Sequence, residues 1–150
     1  MIEFDIDVLI DAPVGTTYRA YINPDNMPKY MNYLERIELA EGKFGDIGAK
    51  MKLHFTRSGR TRVMQDELLF LDPENVIKSK VSVPGLLAEV ETRFYAHGTG
   101  SKIQLTWKGR GRNLLSILLL PLMKNIIKKQ ALGELKTFGK LVEICGEVFK

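Results

Sequence analysis

Of the eighteen acidic side chains in this 150-residue chain, Asp66 is set apart by its neighbours. Met64, Asp66 and Leu68 alternate with Gln65 and Glu67. In an extended strand Asp66 therefore shares a face with apolar side chains, and its two neighbours share the other. A carboxylate on an apolar wall is costly unless paired, protonated or wet. The same environment brings a carboxyl toward neutral titration, where it can act as a general acid or base. Asp66 is the one candidate catalytic residue; the plainer reading is a carboxyl satisfied by water or by Arg62. Ser79 and Thr92 fall on the same face, more naturally as polar spacers of a cavity wall than as catalysts. His54 and His97 read as ordinary solvated groups, and Cys145 as a small hydrophobe in a helix stripe. No phosphate loop, nucleophile elbow, Cys/His metal spacing or dinucleotide fingerprint occurs, so neither metal nor cofactor is expected.

A second group is basic. Arg57, Arg60, Arg62, Lys108, Arg110 and Arg112 fall in turns that the strand order brings to one end of the molecule, beside Leu86, Leu87, Leu114, Leu115, Ile117 and Leu118. Arginines around apolar groups suit a ligand with an anionic head and an apolar body. The bland alternative is a solvated rim. The expectation is a cavity mouth bounded by Arg57, Arg60, Leu86, Arg110, Arg112 and Leu114, with Pro121 letting the neighbouring segment move. No aromatic residues interleave these arginines as stacking platforms, so nucleic acid is not an expected partner.

The elements that position these groups can be read from periodicity. Asn113 to Phe149 opens with an apolar run and settles into helical spacing at Ile127, Ala131, Leu135, Phe138, Val142, Cys145 and Phe149. From Pro121 onward such a helix would be roughly 43 Å long at ~1.5 Å per residue. No other segment is a helix long enough to cover that stripe, so a curved sheet must. Phe4, Ile6, Val8 and Ile10 alternate with acidic residues as a first strand, followed by short helices over Val14–Tyr21 and from Asn23 through Met31. Glu35–Glu41 is a second strand, and Ala49–Gly109 reads as five more joined by tight turns.

Charge tests the register. Pairing across Ser58-Gly59, Pro73-Glu74 and Pro84-Gly85 sets Lys50 opposite Glu67, Glu67 opposite Lys80, and Lys80 opposite Glu89, one consistent outer ladder. The inner face then carries Met51, Leu53, Phe55, Met64, Leu68, Phe70, Ile77, Val81, Ala88, Val90, Phe94, Ile103, Leu105 and Trp107. Among them lie the polar Asp66, Ser79 and Thr92, with Arg62 toward one end. Polar groups on a concave apolar wall point to a cavity. Its expected lining is Met51, Leu53, Phe55, Arg62, Met64, Asp66, Leu68, Ser79, Val81, Val90, Thr92, Phe94, Leu105 and Trp107, closed by Leu118, Met123 and Ile127.

Composition sets the bounds. The chain is 45% hydrophobic and 27% charged with a net charge of +4, as for one globular domain spanning residues 1–150. One cysteine excludes an internal disulfide and fits a reducing compartment, the cytoplasm. The acidic, alternating N-terminus is unlike a signal peptide. The apolar run after Asn113 is too short to span a bilayer, which takes ~20 residues.

The element order resembles the START-like superfamily of helix-grip proteins, which includes the birch-pollen allergens and the bacterial polyketide cyclase/dehydrase-like proteins. The residues that carry the resemblance are Ile10–Val14, Asn23–Met31, Glu67–Pro73, Gly98–Ile103, Leu132–Lys136 and Leu141–Glu143. Tyr30 stands where many bacterial relatives carry Trp. The resemblance implies an α+β fold, about seven antiparallel strands curved around a long C-terminal helix, with a cavity for hydrophobic small molecules or lipids. The expected function is binding or carriage of such a ligand. The alternatives are a polyketide cyclase/dehydratase-type enzyme using Asp66, and a module whose apolar helix start docks a protein or a membrane surface.

Overall fold

A computed structural model describes residues 1–150. Seven strands form one antiparallel sheet: β1 Ile2–Ile10, β2 Leu34–Glu41, β3 Lys50–Arg57, β4 Arg60–Asp72, β5 Val76–Val83, β6 Leu86–His97 and β7 Gly100–Gly111. Their spatial order is β1-β7-β6-β5-β4-β3-β2, so β1 closes one edge beside the last strand and every other neighbour is joined by a hairpin. Three helices complete the fold: α1 Val14–Ile22, α2 Met27–Tyr30 after a single 3-10 turn, and α3 Leu114–Cys145. This is the helix-grip architecture. Asn113 starts α3 by accepting a hydrogen bond from the Ser116 N–H, and Gly146 ends it at φ 76°. The helix runs unbroken through Pro121.

The charge ladder is present in register: Lys50 opposite Glu67, Glu67 opposite Lys80, Lys80 opposite Glu89. One inner-face assignment is corrected. An irregularity between Leu68 and Phe70 inserts an extra residue into β4, so Phe70 turns outward under the Lys78 ammonium and Leu71 faces inward opposite Ile77.

The core lies between the sheet and the second half of α3. Leu135, Phe138 and Val142 are buried there against Phe4, Ile6, Ile10, Phe94 and Ile103. Gly139 permits the closest approach, since a Cβ there would stand 3.1 Å from Ile10 Cγ1. Asn26 ties the C-terminal tail to this core. Its buried amide donates to the carbonyls of Ala20 and Glu147 and accepts from the Phe149 N–H.

Candidate functional site: a cavity between sheet and helix

Between the inner face and α3 lies a cavity of about 400 Å³, within the range of small-molecule sites. Twenty of its 26 lining residues are hydrophobic, so its wall is largely apolar. Eleven of the expected lining residues meet there: Met51, Phe55, Met64, Asp66, Leu68, Ser79, Val81, Val90, Leu105, Trp107 and Ile127. The strands bring them together by alternation, each contributing every second residue to the concave face. Trp107 stacks on Phe4 with centroids 5.2 Å apart, and its ring crosses Gly109, where a Cβ would sit 2.1 Å from it. Only glycine at 109 leaves the indole room to lie flat along the wall.

The remaining expected members lie elsewhere. Leu53 is fully buried in packing, Phe94 lies under the rings of Tyr18 and Tyr21, and Thr92 shares a hydrogen bond with the Tyr21 hydroxyl at 2.9 Å. All three keep the predicted face but are covered by α1 or by neighbours. Leu118 and Met123 face solvent. Arg62 is exposed and makes no ion pair with Asp66. Four residues along a strand span ~13 Å, beyond the reach of that pairing.

The proposed mouth also has a different place. None of Arg57, Arg60, Leu86, Arg110, Arg112 or Leu114 lines the cavity. The lining residues that reach the surface are Ile22 from α1, Phe44 and Gly45 from the β2–β3 loop, and Gln130 from α3. That loop joins β3 at the end opposite the Arg57–Arg60 hairpin. The arginines therefore cannot meet a ligand head at this opening.

The lining residues that strand alternation does not reach include Tyr21, Met27, Tyr30, Phe44, Gln130 and Glu134. Helices and a loop supply them, so their direction depends on how α1, α2 and α3 pack. The helical signal that was available is the spacing of Ile127, Gln130, Ala131, Glu134 and Leu135, which puts both polar groups beside the apolar stripe.

Asp66 has protein on nearly every side, with its open side facing the cavity. Burial raises its carboxyl from 3.8 to about 6, partly offset by a hydrogen bond from the Ser79 hydroxyl. Near neutrality it therefore exchanges a proton readily. Burial also raises the phenols of Tyr21 and Tyr30, the latter strongly, so both remain neutral at physiological pH. Burial raises Glu134 as well, while the Asn32 N–H donates to its carboxylate at 2.7 Å. The wall thus offers an apolar container with one titrating carboxyl on the sheet and a second on the helix.

Residues 1–143 match the family described as polyketide cyclase / dehydrase and lipid transport. The chain belongs to this family, within the START-like superfamily. Its fold is similar to that of Ara h 8.0201, at 18% identity and TM-score 0.76, covering 94% of this chain and 97% of that one. It is equally similar in fold to the ZhuI aromatase/cyclase from a Streptomyces species, at 15% identity and TM-score 0.76 over 93% and 92% of the chains. A protein from Chromobacterium violaceum gives 18% identity and TM-score 0.76 over 95% and 99%. No curated protein sequence matches.

Proposed function

We propose that this protein, acting as one helix-grip domain, binds and carries a hydrophobic small molecule or lipid between sheet and α3. The observation that carries the reading is the 400 Å³ apolar cavity with its polar groups confined to a few positions. With no arginine on the wall, the ligand's polar end is a neutral hydroxyl that donates to the Asp66 carboxylate beside Ser79. The single half-buried cysteine supports work in a reducing compartment such as the cytoplasm. Trp107 is the only tryptophan and lines the cavity, so its fluorescence reports occupancy. Apolar ligands extracted from the native host, identified by native mass spectrometry, should shift that emission on rebinding. Ala131→Phe, which fills the cavity from the helix side and leaves Trp107 the sole reporter, should abolish rebinding while the fold persists. Unchanged binding in that variant would remove the cavity from the function.

A second reading is an enzyme of the cyclase/dehydratase type with Asp66 as general acid–base. It is favoured by a carboxyl that titrates at about 6 inside an apolar cavity, and by the aromatase/cyclase activity named for a protein of similar fold. Asp66→Asn should then abolish turnover of a poly-β-keto substrate while leaving its affinity within about tenfold, because only the proton step is lost. Undiminished turnover would end this reading.

A further inference from the structure

The first half of α3 is apolar on the side that faces away from the protein. Leu120 is buried, yet Leu115, Leu118, Leu119, Leu122 and Ile126 are all exposed, Leu122 by 76%. At 100° per residue these five fall within an arc of about 100°, roughly opposite Leu120. Leu114, at 73% exposed, extends the patch toward the helix start. A helix apolar on both sides is normally covered on both. No helix of this chain is long and apolar enough to cross a membrane, so the stripe can lie on a bilayer but not span one.

Charge selects the partner. Residues 108–133 hold Lys108, Arg110, Arg112, Lys124, Lys128 and Lys129 and no acid. Residues 50–65 add Lys50, Lys52, Arg57, Arg60 and Arg62, again with no acid. The β3–β4 hairpin, the β5–β6 turn and the start of α3 share one end of the sheet, where the Arg112 N–H donates to the Gly85 carbonyl. The acids nearest this end are few: Glu3 pairs with Lys108 at 3.9 Å, Glu35 accepts from the Thr56 hydroxyl, Glu67 pairs with Lys80, and Glu89 stands opposite Lys108 in the strand register. Arg57, Arg60, Arg62, Arg110, Arg112, Lys124, Lys128 and Lys129 make no ion pair. A second copy docked symmetrically would set this basic field against itself, with the bases outnumbering the few acids beside them. Anionic headgroups above an acyl boundary complement both the bases and the leucines.

We infer that the Leu114–Ile126 face of α3 is a docking surface for anionic bilayers, inserted at the interface and flanked by the arginine-rich end of the sheet. The surface is separate from the cavity opening, and its test does not depend on any cavity ligand. The full chain should co-sediment with phosphatidylcholine vesicles containing phosphatidylglycerol and much less with phosphatidylcholine alone, and binding should weaken as salt rises. Leu118→Glu with Leu122→Glu should abolish pelleting. Neutralising Lys124, Lys128 and Lys129 to Gln should weaken it by about fivefold per base. All five positions lie outside the cavity lining, and thermal melts confirm that the variants are folded. Equal pelleting of wild type and the double Glu variant would overturn the inference. So would a lipid-free dimer, seen by sedimentation velocity and dissociated by the same substitutions, in a protein that ignores vesicles.

Discussion

The two halves of α3 are built from similar side chains, and the rest of the molecule treats them oppositely. In Ile127–Cys145 the apolar residues, the exposed Ile144 apart, keep to one stripe, which the sheet and the short helices cover; Phe138 is 0% exposed and meets the rings of Tyr21, Tyr30 and Phe149. In Leu114–Ile126 they surround the helix, and only Leu120 is buried. Hydrophobicity alone therefore does not say what a segment packs on. The period does: a stripe is answered by one surface, and a helix apolar all round has more faces than one sheet can cover.

The comparison breaks first at Phe138. Phe138→Ala removes a fully enclosed ring and should cost about 3–5 kcal/mol in urea unfolding, as large-to-small changes in well-packed cores do. A loss under 1 kcal/mol would show that the second half is not gripped as described. Its apolar stripe was readable in the sequence because helical spacing fixes which residues share a face. The strand register was readable for a similar reason: Lys50, Glu67, Lys80 and Glu89 had to agree across three turns at once. Phe70 was not, because a bulge at one residue reverses every later side chain in the strand and leaves no mark in composition. Tyr21, Tyr30 and Phe44 were not legible as cavity wall either, since the packing of short helices and a loop obeys no period. The mouth lies away from its expected place because the apolar residues after Asn113 face solvent and not the cavity.

Asp66 sharpens the contrast from the cavity side, across from the gripped half. Its folded carboxyl lies above its unfolded value. Its contribution to stability is therefore present below about pH 4 and lost as pH rises through about 6. From 3.8 to about 6 this is at most about 3 kcal/mol, less to the extent that cavity water solvates the anion. Asp66→Asn should be more stable than wild type at pH 7, with the difference closing by pH 4. Parallel pH–stability curves for the two proteins would show that the carboxyl is freely hydrated.

Pro121 tests whether the exposed half is a finished helix. Proline has no N–H to donate to the Ile117 carbonyl, and an interior proline costs about 3 kcal/mol relative to alanine. Its restriction of the unfolded chain returns up to about 1 kcal/mol. Pro121→Ala should raise stability by about 2 kcal/mol and slow amide exchange around Ile117 to Met123. No change in either would mean that this turn is already open in solution, and the solvent-facing stripe would not be held as one rigid surface.

The smallest effect carries the comparison furthest. Leu118→Ala removes as many side-chain atoms as Ile6→Ala or Ile10→Ala would from the core of β1, yet it should change stability by no more than about 0.5 kcal/mol. The reason lies in what the truncation exposes. Leu118 is already mostly in water, so little apolar area returns to solvent and no cavity forms. Alanine is also at least as good a helix former as leucine, which offsets what little contact is lost. The same substitution should reduce pelleting with anionic vesicles, because there the leucine is buried in the acyl boundary. Near-silence in urea and a clear loss on vesicles would separate a docking face from a core face with one residue. A cost above 1 kcal/mol that grows with protein concentration would instead show that another copy of the chain covers Leu118 in solution, and the two halves of α3 would then both be core.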